Sequence, residues 1–160
     1  MMTRGAKPLE MTDVVGCWRL ERALIKRGDV ITPNPIYGPN PTGFLHYLPE
    51  YRVAVTIPLG PRRLMSSTDR RGGTIEELAE SARSFDAYAG RVSFIAPDKI
   101  VHHIEVNTYQ NYVGTDLVRR VELDGDLLRL FIPVYTENAV TVQRWLEWRR
   151  LASPTEEVKP

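Results

Sequence analysis

The feature that most constrains this chain is a two-residue alternation of apolar and polar side chains, repeated in short runs along its length. Tyr51, Val53, Val55 and Ile57 alternate with Arg52, Ala54 and Thr56, and Pro58 closes the run because it has no backbone donor for a sheet ladder. That spacing puts one face of an extended strand inward and the other into solvent. Trp18, Leu20 and Leu24 set against Arg19 and Glu21 read the same way. Further runs at 44–48, 91–95, 100–109, 116–123, 127–135 and 141–151 bring the expected number of strands to eight.

Turn chemistry separates the runs. Arg27-Gly28-Asp29, Pro97-Asp98-Lys99 and above all Asp124-Gly125, which lies between two alternating runs, predict antiparallel hairpins. One segment departs from period two. Thr74-Ile75-Glu76-Glu77 has the form of a capping box, and Ile75, Leu78, Ala79, Ala82 and Phe85 recur at helical spacing, which predicts a helix over 75–87. Eight short antiparallel strands with one helix predict an all-β, up-and-down barrel, because closure leaves no unpaired edge and about eight strands enclose one small ligand. Two irregular stretches, 32–42 with four prolines and 59–73 with paired glycines, read either as lids over the barrel mouth or as plain crossings of its ends.

At 160 residues one domain is the default, able to bury roughly 70% of its extended surface. It is expected to run from 13 to 151, between flexible tails at 1–12 and 152–160. Lys and Arg total 21 against 20 Asp and Glu, and a net charge of +1 attracts no phosphate backbone, so nucleic acid is not an expected partner. The arginine pairs 62–63, 70–71, 119–120 and 149–150 read as solvated faces or local anion contacts. The lone cysteine, Cys17, and the lack of an apolar run long enough for a membrane or of a secretory leader lead to an expectation of a cytoplasmic, non-membrane protein, with a homodimer left open.

Several of these segments resemble a known family. Gly16-Cys17-Trp18-Arg19-Leu20 is similar to the Gly-x-Trp opening of lipocalins, and the run from Tyr37 to Tyr47, with Gly38-Pro39-Asn40-Pro41-Thr42-Gly43 inside it, looks like the approach to the second strand in the bacterial lipocalin-like domain family. Tyr88-Ala89-Gly90-Arg91-Val92 fits, and the closest match is His102 to Asn107 with Gly114-Thr115-Asp116, Arg119 and Leu123 to Leu127 behind it. The chain departs from the family in having Tyr112 where a Trp is common and in its longer proline-rich stretch. The resemblance implies a calycin-type barrel with Trp18 plugging its closed end. It also implies a functional range from binding proteins to cyclases and isomerases of natural-product pathways.

For the chemistry, period two places Val101, His103, Glu105, Asn107 and Tyr109 on one face of the 100–109 strand and Ile100, His102, Ile104, Val106 and Thr108 on the other. Should the first face line the lumen, His103 and Glu105 form a catalytic acid-base pair, with Asn107 and Tyr109 beside them. Should the second do so, His102 is the lone polar group on an apolar wall, more often a hydrogen-bonded core residue than a catalyst. Alternation favours the second orientation and the family resemblance the first. Arg119 is a candidate to neutralise a carboxylate or enolate, and Tyr47, Tyr88 and Trp145 to supply apolar walls with polar tips.

No metal and no cofactor is expected: His102 and His103 point apart, His46 is on another strand, and neither a phosphate loop nor a Gly-x-Ser-x-Gly elbow exists. The leading expectation is a barrel binding a small, largely apolar molecule with a carbonyl, carboxylate or hydroxyl group. The rivals are a cofactor-free isomerase or cyclase working through His103 and Glu105, and an interaction module with a filled core.

Overall fold

In the computed structural model the described residues are 7–152. The chain runs α1 (Met11–Val14), β1 (Gly16–Arg27), β2 (Val30–Pro33), β3 (Phe44–Leu48), β4 (Arg52–Pro58), α2 (Ile75–Arg83), β5 (Phe85–Ile95), β6 (Lys99–Asn107), β7 (Asp116–Asp124), β8 (Leu127–Phe131), β9 (Tyr135–Glu137) and β10 (Val140–Arg150). All neighbours pair antiparallel, and β1 pairs with β10 as well as β3, so β1, β3, β4, β5, β6, β7, β8 and β10 close an eight-strand barrel. The short β2 and β9 only extend its edges along β1 and β10. The all-β closed barrel expected from alternation is what the chain forms.

One end of the barrel is sealed. Trp18 is wholly buried and donates its indole N–H to the carbonyl of Val14 at 2.8 Å, fastening α1 across the opening. Arg150 lies over the Trp18 ring at 4.0 Å and donates to the carbonyls of Val15 and Asp13. Burying an indole removes about 200 Å² of apolar surface from water, worth on the order of 5 kcal/mol as an upper figure. The plug also recruits chain upstream of it. Met11 is buried, Leu9 packs on the core and its N–H bonds the Pro97 carbonyl at 3.0 Å. The ordered fold therefore starts earlier than the boundary at 13, because helix α1 supplies apolar area to the plug; residues 1–6 and 153–160, in the expected tails, lie outside the described residues.

Two bulges set which side chains face inward. In β1 the pairing slips between Leu20 and Arg22, leaving Glu21 unpaired; Leu20 opposes Trp148, whereas Ala23 opposes Leu146 and Ile25 opposes Arg144. The extra residue moves Leu24 to the outer face, opposite Trp145, so the simple Trp18, Leu20, Leu24 alternation does not hold. In the β5–β6 pair Gly90 opposes Ile104 and Ala89 opposes Val106, with Glu105 unpaired. A Cβ on Gly90 would lie 1.8 Å from the His103 carbonyl oxygen, so only glycine admits this close backbone approach.

Helix α2 is shorter than expected. Thr74 caps it as predicted, its hydroxyl accepting from the Glu77 N–H at 3.2 Å while the Glu77 carboxylate accepts from the Thr74 N–H at 2.9 Å. It ends at Arg83, and residues 85–87 enter β5 because the β4 ladder pairs Pro58 with Phe85 and Thr56 with Ala87. None of its residues is buried and Ile75 is 81% exposed, so polar contacts hold it instead, Arg63 to Glu80 at 2.6 Å and Arg62 to Ser84 at 2.9 Å.

A polar-lined chamber at the open end

Above the packed layer of Trp18, Leu45, Tyr47, Ile100 and Leu128, the barrel encloses a chamber of about 480 Å³. Val55, Ile57, Leu117, Leu130, Ile132 and Leu146 give it an aliphatic frame. Tyr37 and Tyr112, in the 3-10 turns Pro35–Tyr37 and Gln110–Tyr112, stand at its mouth. The proline-rich 32–42 segment thus contributes to closure, whereas the 59–73 segment leans on α2 through Arg62 and Arg63 and supplies nothing to the wall.

Polar groups enter this apolar frame from four strands: Asp86 and Tyr88 from β5, Asn107 from β6, Arg119 from β7, and Arg144 with the Trp148 indole from β10. The Arg144 Nε and the Trp148 Nε1 are buried without a hydrogen-bond partner in the structure. Arg144 stacks over the Tyr135 ring at 5.1 Å, and Arg119 donates to the Val118 carbonyl at 2.9 Å. Buried donors of this kind cost free energy unless an acceptor meets them. Burial pushes the Asp86 carboxyl and the Tyr37 phenol up from their ordinary values, with Arg119 acting against burial in both.

Behind Tyr88 lies a buried relay. His102, fully enclosed on the inner face of β6, has the Tyr47 hydroxyl 2.7 Å from Nε2 and the Tyr88 hydroxyl 2.9 Å from Nδ1. Burial, with the positive charge of Arg119 beside it, pushes the imidazole pKa down to about 3, and burial raises both tyrosines, so all three are neutral near pH 7. Satisfaction assigns the direction of the bonds. Tyr47 is buried and His102 is its hydrogen-bond partner, so the Tyr47 O–H donates to Nε2. Nδ1 then carries the proton and donates to Tyr88, whose own O–H is left to point into the chamber.

Of the residues singled out from sequence, Tyr88, Asn107 and Arg119 line the chamber, and Tyr47 and His102 support Tyr88 from behind. The others lie elsewhere. His103 and Glu105 are on the outer face, where Glu105 pairs with Arg52 at 2.5 Å and Arg91 at 3.1 Å, so they offer no acid-base pair to a ligand inside. Tyr109 falls beyond the end of β6, 55% exposed and edge-on to Tyr112. Trp145 faces outward, stacked on Phe131, and donates to the buried Glu147 carboxylate at 3.2 Å. Burial alone would raise the Glu147 pKa, but bonds from Trp145, Arg22 and Arg129 hold it below the ordinary value.

His103 has its own outer partners, Ser93 Oγ at 2.7 Å from Nε2 and Asp116 at 2.7 Å from Nδ1. The order matches that of a nucleophile, base and carboxylate. It sits in a shallow groove whose nearby amides, Gly114 and Thr115, are already committed to the carbonyls of Ile104 and Tyr112, so neither is free to stabilise an oxyanion.

Sequence reasoning missed Asp86, Arg144, Trp148 and Tyr37. Arg144, Leu146 and Trp148 share a face opposite to Gln143, Glu147 and Arg149, and that alternation already puts Trp148 inside and Trp145 outside. Asp86 was hidden because 75–87 reads as one helix.

The curated 4'-hydroxy-3'-methoxypropiophenone carrier protein of Aspergillus oryzae is 34% identical to this chain over 89 residues, which span 49% of this chain and 78% of the relative. A family model described as the lipocalin-like domain matches residues 15–151, from the strand carrying the Trp18 plug to the end of the last barrel strand. With the barrel closed by β1 on β10 and sealed at Trp18, this chain belongs to the lipocalin-like domain family.

Proposed function

We propose that this protein binds and carries a small, largely apolar molecule, an aryl ketone or related phenol, in the chamber at the open end of the barrel. The observation that carries the reading is the pair of buried, unpartnered donors, Arg144 Nε and Trp148 Nε1, set in an aliphatic wall. Together with the Tyr88 hydroxyl they offer hydrogen bonds to an acceptor such as a carbonyl oxygen, while the Asp86 carboxylate can accept from a ligand hydroxyl; the Asn107 Oδ1 already accepts from the Tyr109 N–H at 2.8 Å. A chamber of about 480 Å³ falls within the roughly 300–1,000 Å³ of small-molecule pockets and suits a substituted single aromatic ring. The relative named as carrier of a small aromatic ketone supports the same ligand class.

The test is a titration of intrinsic fluorescence with a panel of small aryl ketones. Of the three tryptophans Trp148 lines the chamber, whereas Trp18 is in the plug and Trp145 faces outward. Saturable quenching in the micromolar range, largely lost in Trp148→Phe with calorimetric binding tracked in parallel, is the expected result. No saturable heat and no quenching anywhere in the panel would remove the carrier reading.

A further inference from the structure

The charges that face the chamber are unbalanced. Arg119 and Arg144 enter it from β7 and β10, and among the described residues neither makes an ion pair with a carboxylate. Among the described residues Asp86 is the one carboxylate that faces the chamber. Asp116 touches the rim, but its carboxylate is turned outward onto His103. The remaining titratable neighbours are the phenols Tyr37, Tyr88 and Tyr112 and the neutral His102 behind them. Two guanidinium groups therefore face a single carboxylate across a wall of aliphatic side chains, phenols and an amide. The uncommitted polar groups beside them, the Trp148 indole N–H and the Tyr88 O–H, are donors.

We infer that the chamber takes its ligand as an oxyanion on an apolar frame, a carboxylate or an acidic phenolate, and that it lowers the pKa of a bound acylphenol. The inference rests on the carrier reading of the same cavity and specifies the charge state of what is carried. A cationic site favours the charged form of an acid, and burial opposes it. Asp86 and Tyr37, whose side chains meet no hydrogen-bond donor among the described residues, are raised by burial against Arg119, whereas a ligand oxyanion seated on the Arg144, Trp148 and Tyr88 donors gains the hydrogen bonds that offset its desolvation. A phenol with a para acyl group is suited to it, because its anion spreads charge through the ring onto the ketone oxygen and so presents negative oxygen at both ends. The proton released on binding passes to the buffer. No bond of the ligand framework is made or broken.

The probes are 4'-hydroxyacetophenone and 4'-methylacetophenone, which match in size but only the first of which ionises. The phenolate of the first absorbs at longer wavelength than the phenol, so its ionisation in the complex is read directly from a pH series of difference spectra. The expected result is a bound-state phenol pKa lowered by about one unit or more, equivalent to about tenfold tighter binding of the anion. Affinity for the hydroxy probe should weaken with added salt, and the methyl probe should bind about tenfold more weakly. Arg119→Met and Arg144→Met should each return the bound pKa toward that of the free probe, with circular dichroism reporting whether the variants fold. The wild-type spectra decide the matter even if they do not. A neutral phenol spectrum in the complex with equal affinity for both probes overturns the inference and leaves the carrier reading standing. Binding of neither probe, nor of cinnamate as a carboxylate control, overturns the carrier reading itself.

Discussion

Replacing His102 by Gln tests the buried relay through the pH dependence of folding. The imidazole is fully enclosed between Tyr47 and Tyr88, and burial first, then the nearby charge of Arg119, lowers its pKa from 6.5 to about 3. In the unfolded chain the same group takes up a proton near pH 6.5, so between the two values the unfolded state binds more protons and stability falls as pH falls. From pH 6 to pH 4 the difference amounts to about 2.5 kcal/mol at about 1.36 kcal/mol per unit. Gln keeps one acceptor and a donor between the two phenols but does not titrate. Urea denaturation followed by tryptophan emission at half-unit steps should therefore show a steeper acid loss in wild type than in His102→Gln. Taking the difference between the two proteins cancels the contributions of Asp86, whose raised pKa acts in the opposite sense, and of Glu147, whose lowered one acts in the same sense. Parallel stability curves across pH 6 to 4 would refute the buried neutral imidazole, whatever the baseline stability of the variant.

Three further outcomes follow from the geometry. Gly90→Ala places a methyl group 1.8 Å from the His103 carbonyl and should cost about 3 kcal/mol or more, read as a depressed thermal midpoint; an unchanged midpoint means the backbones are not that close. His103→Ala removes only outer-face bonds to Ser93 and Asp116, so ligand affinity should stay within about twofold in the fluorescence titration, and a large loss would put His103 in the chamber after all. Arg150→Met strips the Trp18 ring of its cation and the Val15 and Asp13 carbonyls of their donor, for an expected loss of about 1–3 kcal/mol in chemical denaturation with affinity at the far end of the barrel unaltered.

Much of the architecture is written locally. Alternation marks β3 and β4 almost to the residue, Asp124-Gly125 makes the β7–β8 hairpin, and Thr74 with Glu77 starts α2, because each depends on side chains a few positions apart. Arg119 and Tyr88, named from the sequence as candidates, lie in the chamber wall. What alternation cannot supply is the absolute face of a strand once the phase is broken. On β6 the assumed single phase groups Asn107 with His103 and Glu105, yet the extra residue at Glu105 sends His103 out and brings Asn107 in. That slip needs the bare Gly90 on the partner strand and the His103 carbonyl pressed against it, a contact between residues 13 apart in sequence. The bulge at Glu21 does the same for Leu24 against Trp145 across the closing seam of the barrel. Pairing and burial likewise decide that Phe85 leaves the helix for the ladder and that Arg144 and Trp148 end as unpartnered donors inside. Local sequence thus determined the strands, turns and caps, and only the closed sheet, where partner backbones fix register and exclude water, decided which side chains face the chamber.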